Sequence, residues 1–408
     1  MKETCFVVMG YGKKVDYSTG KTVDLDKVYH TIIQPVVLEA GYHCVRGDEV
    51  NDAALIDRSM YALLMHAELV IADITTFNPN AVYELGVRHA ARPYSTIIMM
   101  DADSAIPFDI NHSRIIRYKN LGECLDVDEV VSVKSQLTSV IKDIQKAPHT
   151  DSPLYTFING INPLQMSSQE YDSIITSLAK DDDCLYAIVE KAQKLRQNNL
   201  WEEALKYWEK AVKKKPNEVY YLQQKALCIY KSGKPSIDIA CSDALSILNN
   251  LPHNNNTETL GLIGAVYKRM YEAHPEDLAP LDRAIKAYGR GFKISGDYYT
   301  GENYAFCLLE KSKATKVVIE EDERIYSRVE AKKVWKILLE NYMPLEDDFN
   351  EVLKRDDGCW VLATLSSCLF ALGDERQSVY EKFFLEHANE QQKATYEEQK
   401  YKLGNLLG

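Results

Sequence analysis

The sequence predicts an α/β domain followed by an all-α array, and three observations carry that expectation. Short runs rich in valine and isoleucine alternate with helical patterns over residues 1–147, an order that forces parallel strands joined by right-handed crossovers. From residue 181 to residue 408 the apolar positions recur only at helical spacing. At 408 residues the chain is longer than one hydrophobic core organises. Residues 1–147 are therefore expected to form a small doubly wound parallel sheet, residues 148–180 a linker, and residues 181–408 an irregular helical solenoid.

The elements follow in order. Cys5–Met9 is a short apolar run stopping at Gly10, as a buried first strand followed by a turn does. Gly10–Asp24, rich in glycine and lysine, is long enough to lie as a loop over a site. Val28, Ile32, Ile33, Val36 and Val37 recur at helical spacing up to Gly41, placed as a C-cap. His43–Arg46 reads as the second strand, Leu55–His66 as a helix, and Leu69–Ile74 as a third strand buried on both faces. Asn78 caps the next helix with Pro79 at its first position. Thr96–Met100 and Ile115–Tyr118 supply two more strands, and Val127–Ile144 closes the domain as a helix. A flavodoxin-like sheet of this kind binds ligands beyond the carboxyl ends of its strands, which gathers Gly10–Lys14, Arg46–Glu49, Asp73–Glu84 and Asp101–Asn111 around one mouth.

Three prolines between Pro148 and Pro163, with Ser152 and Gly160, mark the linker. Beyond it, Ala192, Ala204, Trp208, Ala211 and Pro216 follow the spacing of a tetratricopeptide unit, in which small residues let two antiparallel helices approach. Ala284, Tyr288 and Gly291 repeat the small-aromatic-small pattern, while Trp335 and later segments are looser. Such pairs bury their apolar faces only by stacking into an array with a concave surface, expected here to recruit a protein partner or drive self-assembly.

Composition narrows the function. A net charge of -12 argues against nucleic acid as the partner, since counterion release needs a continuous cationic surface. No stretch reaches the roughly 18 apolar residues of a membrane span, and Met1–Lys14 lacks the order of a signal peptide, so a cytoplasmic protein without membrane association is expected. Nine cysteines without a C-x-x-C pair read as reduced thiols, with no metal site and no cofactor. Gly20-Lys21-Thr22 is not a phosphate loop, because Val15 stands where that motif requires glycine.

Residues Val70–Gly86 are dense in polar groups where the pocket belongs. With Asn78 as cap, Asn80 and Glu84 are four apart and share a helical face, while Asp73 ends the preceding strand, so two carboxylates and two carboxamides are expected to converge. A carboxylate beside an anomeric carbon attacks it or stabilises the oxocarbenium ion as the base departs. Glu84 is the catalytic candidate, and Gly10, Tyr11, Arg46, Asp48, Asp73, Asn78 and Asn80 are candidates for binding a nucleotide substrate. Structural readings compete with each. An exposed ion pair between Glu84 and Arg88, worth about 0.3–0.5 kcal/mol, accounts for Glu84. A surface turn accounts equally for Arg46 and Asp48, and Asp73 and Asn78 suit a turn and a cap.

The run ADITTFNPNAVYELG at Ala72–Gly86, after a strand and before the strand STIIMM, resembles the nucleoside 2-deoxyribosyltransferase-like and TIR-like superfamily of N-glycosidases. That resemblance spans about Cys5–Lys119. It implies Glu84 as catalytic nucleophile and Asp73 as substrate binder; an aspartate preceding the glutamate in the deoxyribosyltransferases is replaced here by Asn80 or Asn78. The segments Thr257–Met270 and Asp297–Leu309 resemble the TRAF-binding region of apoptosis signal-regulating kinases and its bacterial tetratricopeptide relatives, without any kinase signature. Together the resemblances imply an N-glycosidase that cleaves the ribosyl bond of NAD or a related nucleotide, controlled by a sensing or assembly array. In bacteria such pairings often degrade NAD during phage defence. The alternatives are a catalytically silent nucleotide-binding scaffold and a nucleoside deoxyribosyltransferase.

Overall fold

The computed structural model describes residues 3–407 apart from 17–18, 51–55, 105, 107, 111–112, 121, 123, 165, 181–184, 253–254, 314–319, 345–347 and 356. Leu55, Asn111 and Asp181, which bounded three expected segments, lie outside the described residues. The chain divides into two compact units, Met1–Lys194 and Leu195–Gly408.

The first unit is built on five parallel strands: β1 (Thr4–Met9), β4 (His43–Arg46), β5 (Leu69–Asp73), β6 (Thr96–Asp101) and β7 (Ile115–Tyr118), in the order β4-β1-β5-β6-β7. This is the doubly wound order expected. The direction of winding reverses between β1 and β5, where Met9 pairs with Asp73 and Asp73 with Met99, so the crevice of the fold opens beyond those residues. Alternate strand residues face opposite layers. Cys5, Val7, Met9, Ile71, Ile97 and Met99 pack with α1 (Leu25–Val28), α2 (Gln34–Glu39) and α6 (Val127–Lys146). On the other face lie α4 (Ile56–His66), which follows a short α3 (Gly47–Val50), and α5 (Pro79–Ala91).

Two local features differ from expectation for identifiable reasons. The segment after β1 is no plain loop: β2 (Lys13–Val15) and β3 (Thr22–Asp24) pair as an antiparallel hairpin. Its backbone demands are met locally, with Asp16 N–H bound to Lys21 O and Gly20 N–H to Asp16 O. The first helix starts earlier, at Leu25, because Asp24 caps it by accepting from Lys27 N–H. It widens into a π-turn over Tyr29–Ile33 just ahead of Pro35, whose missing N–H breaks the regular ladder.

Residues 148–180, read as a linker, contain α7 (Pro153–Phe157) and α8 (Ser168–Lys180) and belong to the first unit. Asp151 accepts from Thr96 N–H at 2.8 Å, and Ser152 and Tyr155 donate to the carbonyls of His89 and Ala90. Tyr171 stacks on His66 at 3.9 Å, and its hydroxyl meets that of Tyr186 and donates to the Glu190 carboxylate in α9 (Leu185–Gln197).

The second unit is a helical solenoid: α10 (Trp201–Lys214), α11 (Val219–Ser232), α12 (Ile237–Asn249), α13 (Thr257–Ala273), α14 (Leu278–Ser295), α15 (Tyr298–Ser312), α16 (Glu321–Tyr342), α17 (Phe349–Leu353), α18 (Gly358–Leu372), α19 (Gln377–His387) and α20 (Glu390–Leu407). Ser236, Asn256, Asp277 and Asp297 start α12 to α15 by accepting from backbone N–H groups of the first turn. Ala204, Trp208, Ala211, Ala284 and Tyr288 are buried, as their spacing requires. No helix among the described residues is long and apolar enough to cross a membrane.

Close helix approach depends on missing side chains. A Cβ at Gly264 of α13 would lie 2.8 Å from the ring of Tyr288, which is itself 1% exposed. Gly264→Ala must therefore displace a ring with nowhere to go, and we expect a loss of about 1–3 kcal/mol in chemical denaturation of the full chain. Gly86→Ala, where nothing lies within 4 Å and the helix is exposed, should instead gain about 0.5–1 kcal/mol.

Candidate active site at the carboxyl edge of the sheet

The mouth of the sheet is assembled by hydrogen bonds between loops. The β2–β3 hairpin is drawn across the edge by Lys21, paired with Asp103 at 2.5 Å, and by Asp16, which accepts from Ser104 Oγ at 2.8 Å. Gly10 follows β1 where a Cβ would come within 2.8 Å of the Leu25 side chain and 3.3 Å of the Asn78 side chain, so the Gly10 backbone runs directly against both. Tyr11 beside it is 48% exposed, with Lys14 Nζ 5.8 Å from its ring.

Arg46 is buried. It binds Asp48 through two bonds of 2.6 Å, reaches Asp26 at 2.8 Å and lies 4.4 Å over the ring of Tyr29. Burial disfavours the charge, but the two carboxylates more than offset that and raise its pKa. Asp26 also accepts from Gly12 N–H at 3.1 Å, so the cluster ties β4 to the hairpin loop. Arg46 and Asp48 thus form neither a free surface turn nor an open cationic pocket.

Asp73, 1% exposed, is bound at one oxygen by Thr75 N–H (2.9 Å) and at the other by the Tyr118 hydroxyl (2.7 Å). Thr75 Oγ1 contacts the same hydroxyl at 2.9 Å and accepts from Asp101 N–H. Burial raises the Asp73 pKa against the pull of these bonds. After this lock the chain turns through Thr76 and Phe77 at positive φ, 69° and 48°, a costly conformation for residues with a Cβ. The turn delivers Asn78, whose side chain caps α5 by accepting from Asn80 N–H at 2.9 Å; the Asn80 side chain is exposed.

The buried stripe of α5 runs through Ala81, Leu85, Arg88 and Ala91, and Glu84 lies half-buried beside it. The Glu84–Arg88 ion pair is not formed. Arg88 is fully buried and donates to the carbonyls of Leu64 (2.8 Å), Ala67 (2.9 Å) and Ser95 (3.2 Å) and to Thr96 Oγ1 (3.3 Å). Burial pulls its pKa down to about 9, which leaves it a cation at neutral pH. Glu84 has no hydrogen-bond or ion-pair partner among the described residues, and desolvation alone raises its pKa to about 7. His89, one residue on from Arg88, is held neutral by burial, with its pKa lowered to about 4.

The four groups expected to converge are thus divided. Asp73 and Asn78 hold the turn, Asn80 faces solvent, and Glu84 keeps an uncommitted carboxyl. Sequence reasoning missed the lock formed by Thr75 and Tyr118 and the buried role of Arg88. Only the second had a signal, since Arg88 lies in register with Ala81 and Leu85.

Comparison with known families reaches the second unit. Residues 200–308 match the tetratricopeptide repeats-sensor family, so α10 to α15 form a tetratricopeptide-type sensor domain. No curated protein matches the chain.

Two outcomes follow from the charges on α5. Arg88→Met strands buried carbonyls and should cost roughly 3 kcal/mol in denaturation of the first unit, whereas loss of a surface pair would cost under about 0.5 kcal/mol. Glu84 is raised from 4.5 to about 7, so the fold favours its protonated form. The cost of ionising it is absent below pH 4.5 and complete above about pH 7. Glu84→Gln should therefore match wild type near pH 4.5 and exceed it at pH 8.5, by up to about 3 kcal/mol. Equal stabilities at pH 8.5 would mean that the carboxyl is solvated.

Proposed function

We propose that the first unit is an N-glycosidase of the TIR-like and deoxyribosyltransferase-like kind, cleaving the ribosyl bond of NAD or a related nucleotide, and that the second unit governs it by sensing or assembly. The observation that carries this reading is the Glu84 carboxyl: half-buried, without a partner among the described residues, titrating near neutrality, and set on the helix that follows the switch point of the sheet. In the proposed step the bond between ribose C1′ and the base nitrogen breaks, and its electron pair neutralises the cationic ring of the departing nicotinamide. The ionised Glu84 stabilises or captures the oxocarbenium centre, and water completes hydrolysis. No metal or cofactor is required by this route.

Asp73 and Arg46 support a second reading. Both are expended on structure, which leaves fewer groups to orient a substrate and suits a catalytically silent nucleotide-binding scaffold whose repeats recruit a partner. A deoxyribosyltransferase would further require transfer to an added acceptor base in preference to water.

Base release separates these readings. The full chain, with and without a crowding agent, is incubated with NAD, NADP and nucleosides, and free base is followed by chromatography. The glycosidase should release nicotinamide at a rate that rises with pH through about 7, as the Glu84 carboxyl ionises. Glu84→Gln should lose at least about a hundredfold. Release unchanged in that variant, or a rate falling over the same pH interval, removes Glu84 from the chemistry.

A further inference from the structure

At the edge of the sheet opposite the mouth, the amino ends of β6 and β7 meet the end of α6 and the segment that enters α7, and a cavity of about 280 Å³ lies between them. That volume stands at the small end of ligand sites, which begin at roughly 300 Å³. Its walls are mostly apolar: Ile98 and Ile116 come from the strands, Val140 and Ile144 from α6. Two polar atoms stand against them, Asp151 Oδ1 and Ser113 Oγ. Each is buried without a hydrogen-bond partner among the described residues.

Asp151 is held in one orientation by its other bonds. Its N–H donates to Pro93 O at 3.0 Å, and its Oδ2 accepts from Thr96 N–H at 2.8 Å. The Ser95 N–H also favours the carboxylate, without satisfying Oδ1. Burial outweighs these contacts and raises the Asp151 pKa to about 6, so the group is still ionised just above neutral pH. Its charge is answered within the fold, because Arg88 and His149 both pull that pKa down. The cavity therefore calls for no further cation, and a neutral donor completes Oδ1. Ser113 Oγ accepts as well as donates. Arg114 and His149 line the cavity from exposed positions.

We propose that this cavity binds a small neutral heteroaromatic molecule carrying an NH2 group, as an aminopurine or a pyridine carboxamide does, with one N–H donated to Asp151 Oδ1, the other to Ser113 Oγ, and the ring lying on the isoleucines. The inference does not rest on the Glu84 reading. The site nevertheless touches what orients Glu84: Thr96, bonded to Asp151 through its N–H, accepts from Arg88 Nε on its hydroxyl at 3.3 Å. A ligand that fixes Asp151 thereby fixes the strand end on which Arg88 rests.

The test titrates adenine and nicotinamide into the full chain by calorimetry, beside hypoxanthine and methyl nicotinate, in which oxygen replaces the NH2. At least one of the first two should bind with a Kd below about 1 mM, and which of them binds decides between a purine and a pyridine ring. Its oxygen counterpart should bind at least about tenfold more weakly. Asp151→Asn keeps an acceptor for Thr96 N–H but turns a donor toward the cavity, so it should weaken binding at least about tenfold while ligand-free melting stays cooperative. Ser113→Ala, which leaves Asp151 untouched, should weaken it about threefold or more. Binding that both variants leave unchanged, as binding at the mouth would be, overturns the proposal. So does a cavity that takes only water, with neither compound binding below about 1 mM.

Discussion

Burial of the Arg88 guanidinium is the constraint on which the candidate site depends. A charge in that position is tolerated only when its donors are met, and they are met by carbonyls from the end of α4 and the approach to β6, with a hydroxyl on β6 itself. These acceptors come from the end of α4 and the start of β6, so together they fix the rotation of α5 about its axis. Once Arg88 points inward, Glu84, one turn earlier on the same side, must lie along the buried stripe near the helix start. An arginine that looks like a surface partner of the glutamate is what keeps the glutamate unpaired.

The same logic of early commitment governs the rest of the mouth. Asp73 and Tyr118 stand at the ends of strands that are not neighbours, β5 and β7, and their bond reaches across β6 at its carboxyl end. The Arg46 cluster does the equivalent on the other side, linking β4 to α1 and the hairpin loop. Both networks hold the sheet edge in a defined shape while consuming the charges that a reader of sequence would reserve for substrate. The positive φ angles of Thr76 and Phe77 are tolerated because this frame surrounds them.

How much of this was legible follows from the range of each signal. Strands buried on both faces announce themselves, and Leu69–Asp73 and Thr96–Asp101 end within a residue of where they were expected because continuous apolar runs of that length suit a central, covered strand. The Asn78 cap and Pro79 start are equally local. The hairpin over residues 13–24 was hidden, since its strands are three residues each and lack alternation. The anchoring of residues 148–157 was hidden too, because Asp151, Ser152 and Tyr155 find partners more than fifty residues away. Composition marks a proline-rich stretch as irregular but carries no information about what it rests on. For the site, residue types and strand ends were readable, whereas which carboxylate was spent and which was spare depended on contacts between β5, β7 and α5.

That difference between spent and spare carboxylates is the strongest physical argument for a role at position 84. Among the shielded acids of the first unit, Asp16 accepts from Ser104, Asp73 from Thr75 and Tyr118, and Asp151 from Thr96. Each thereby recovers part of the hydration it gives up. Glu84 recovers none from the described residues, and its pKa rises by desolvation without any opposing bond. A glutamine there would keep the shape and avoid the cost of ionisation above neutral pH. Retention of an acid where a neutral isostere would be more stable, beside acids that each hold at least one hydrogen bond, is what the role proposed for position 84 requires. An electron-poor centre is the partner that such a carboxylate suits.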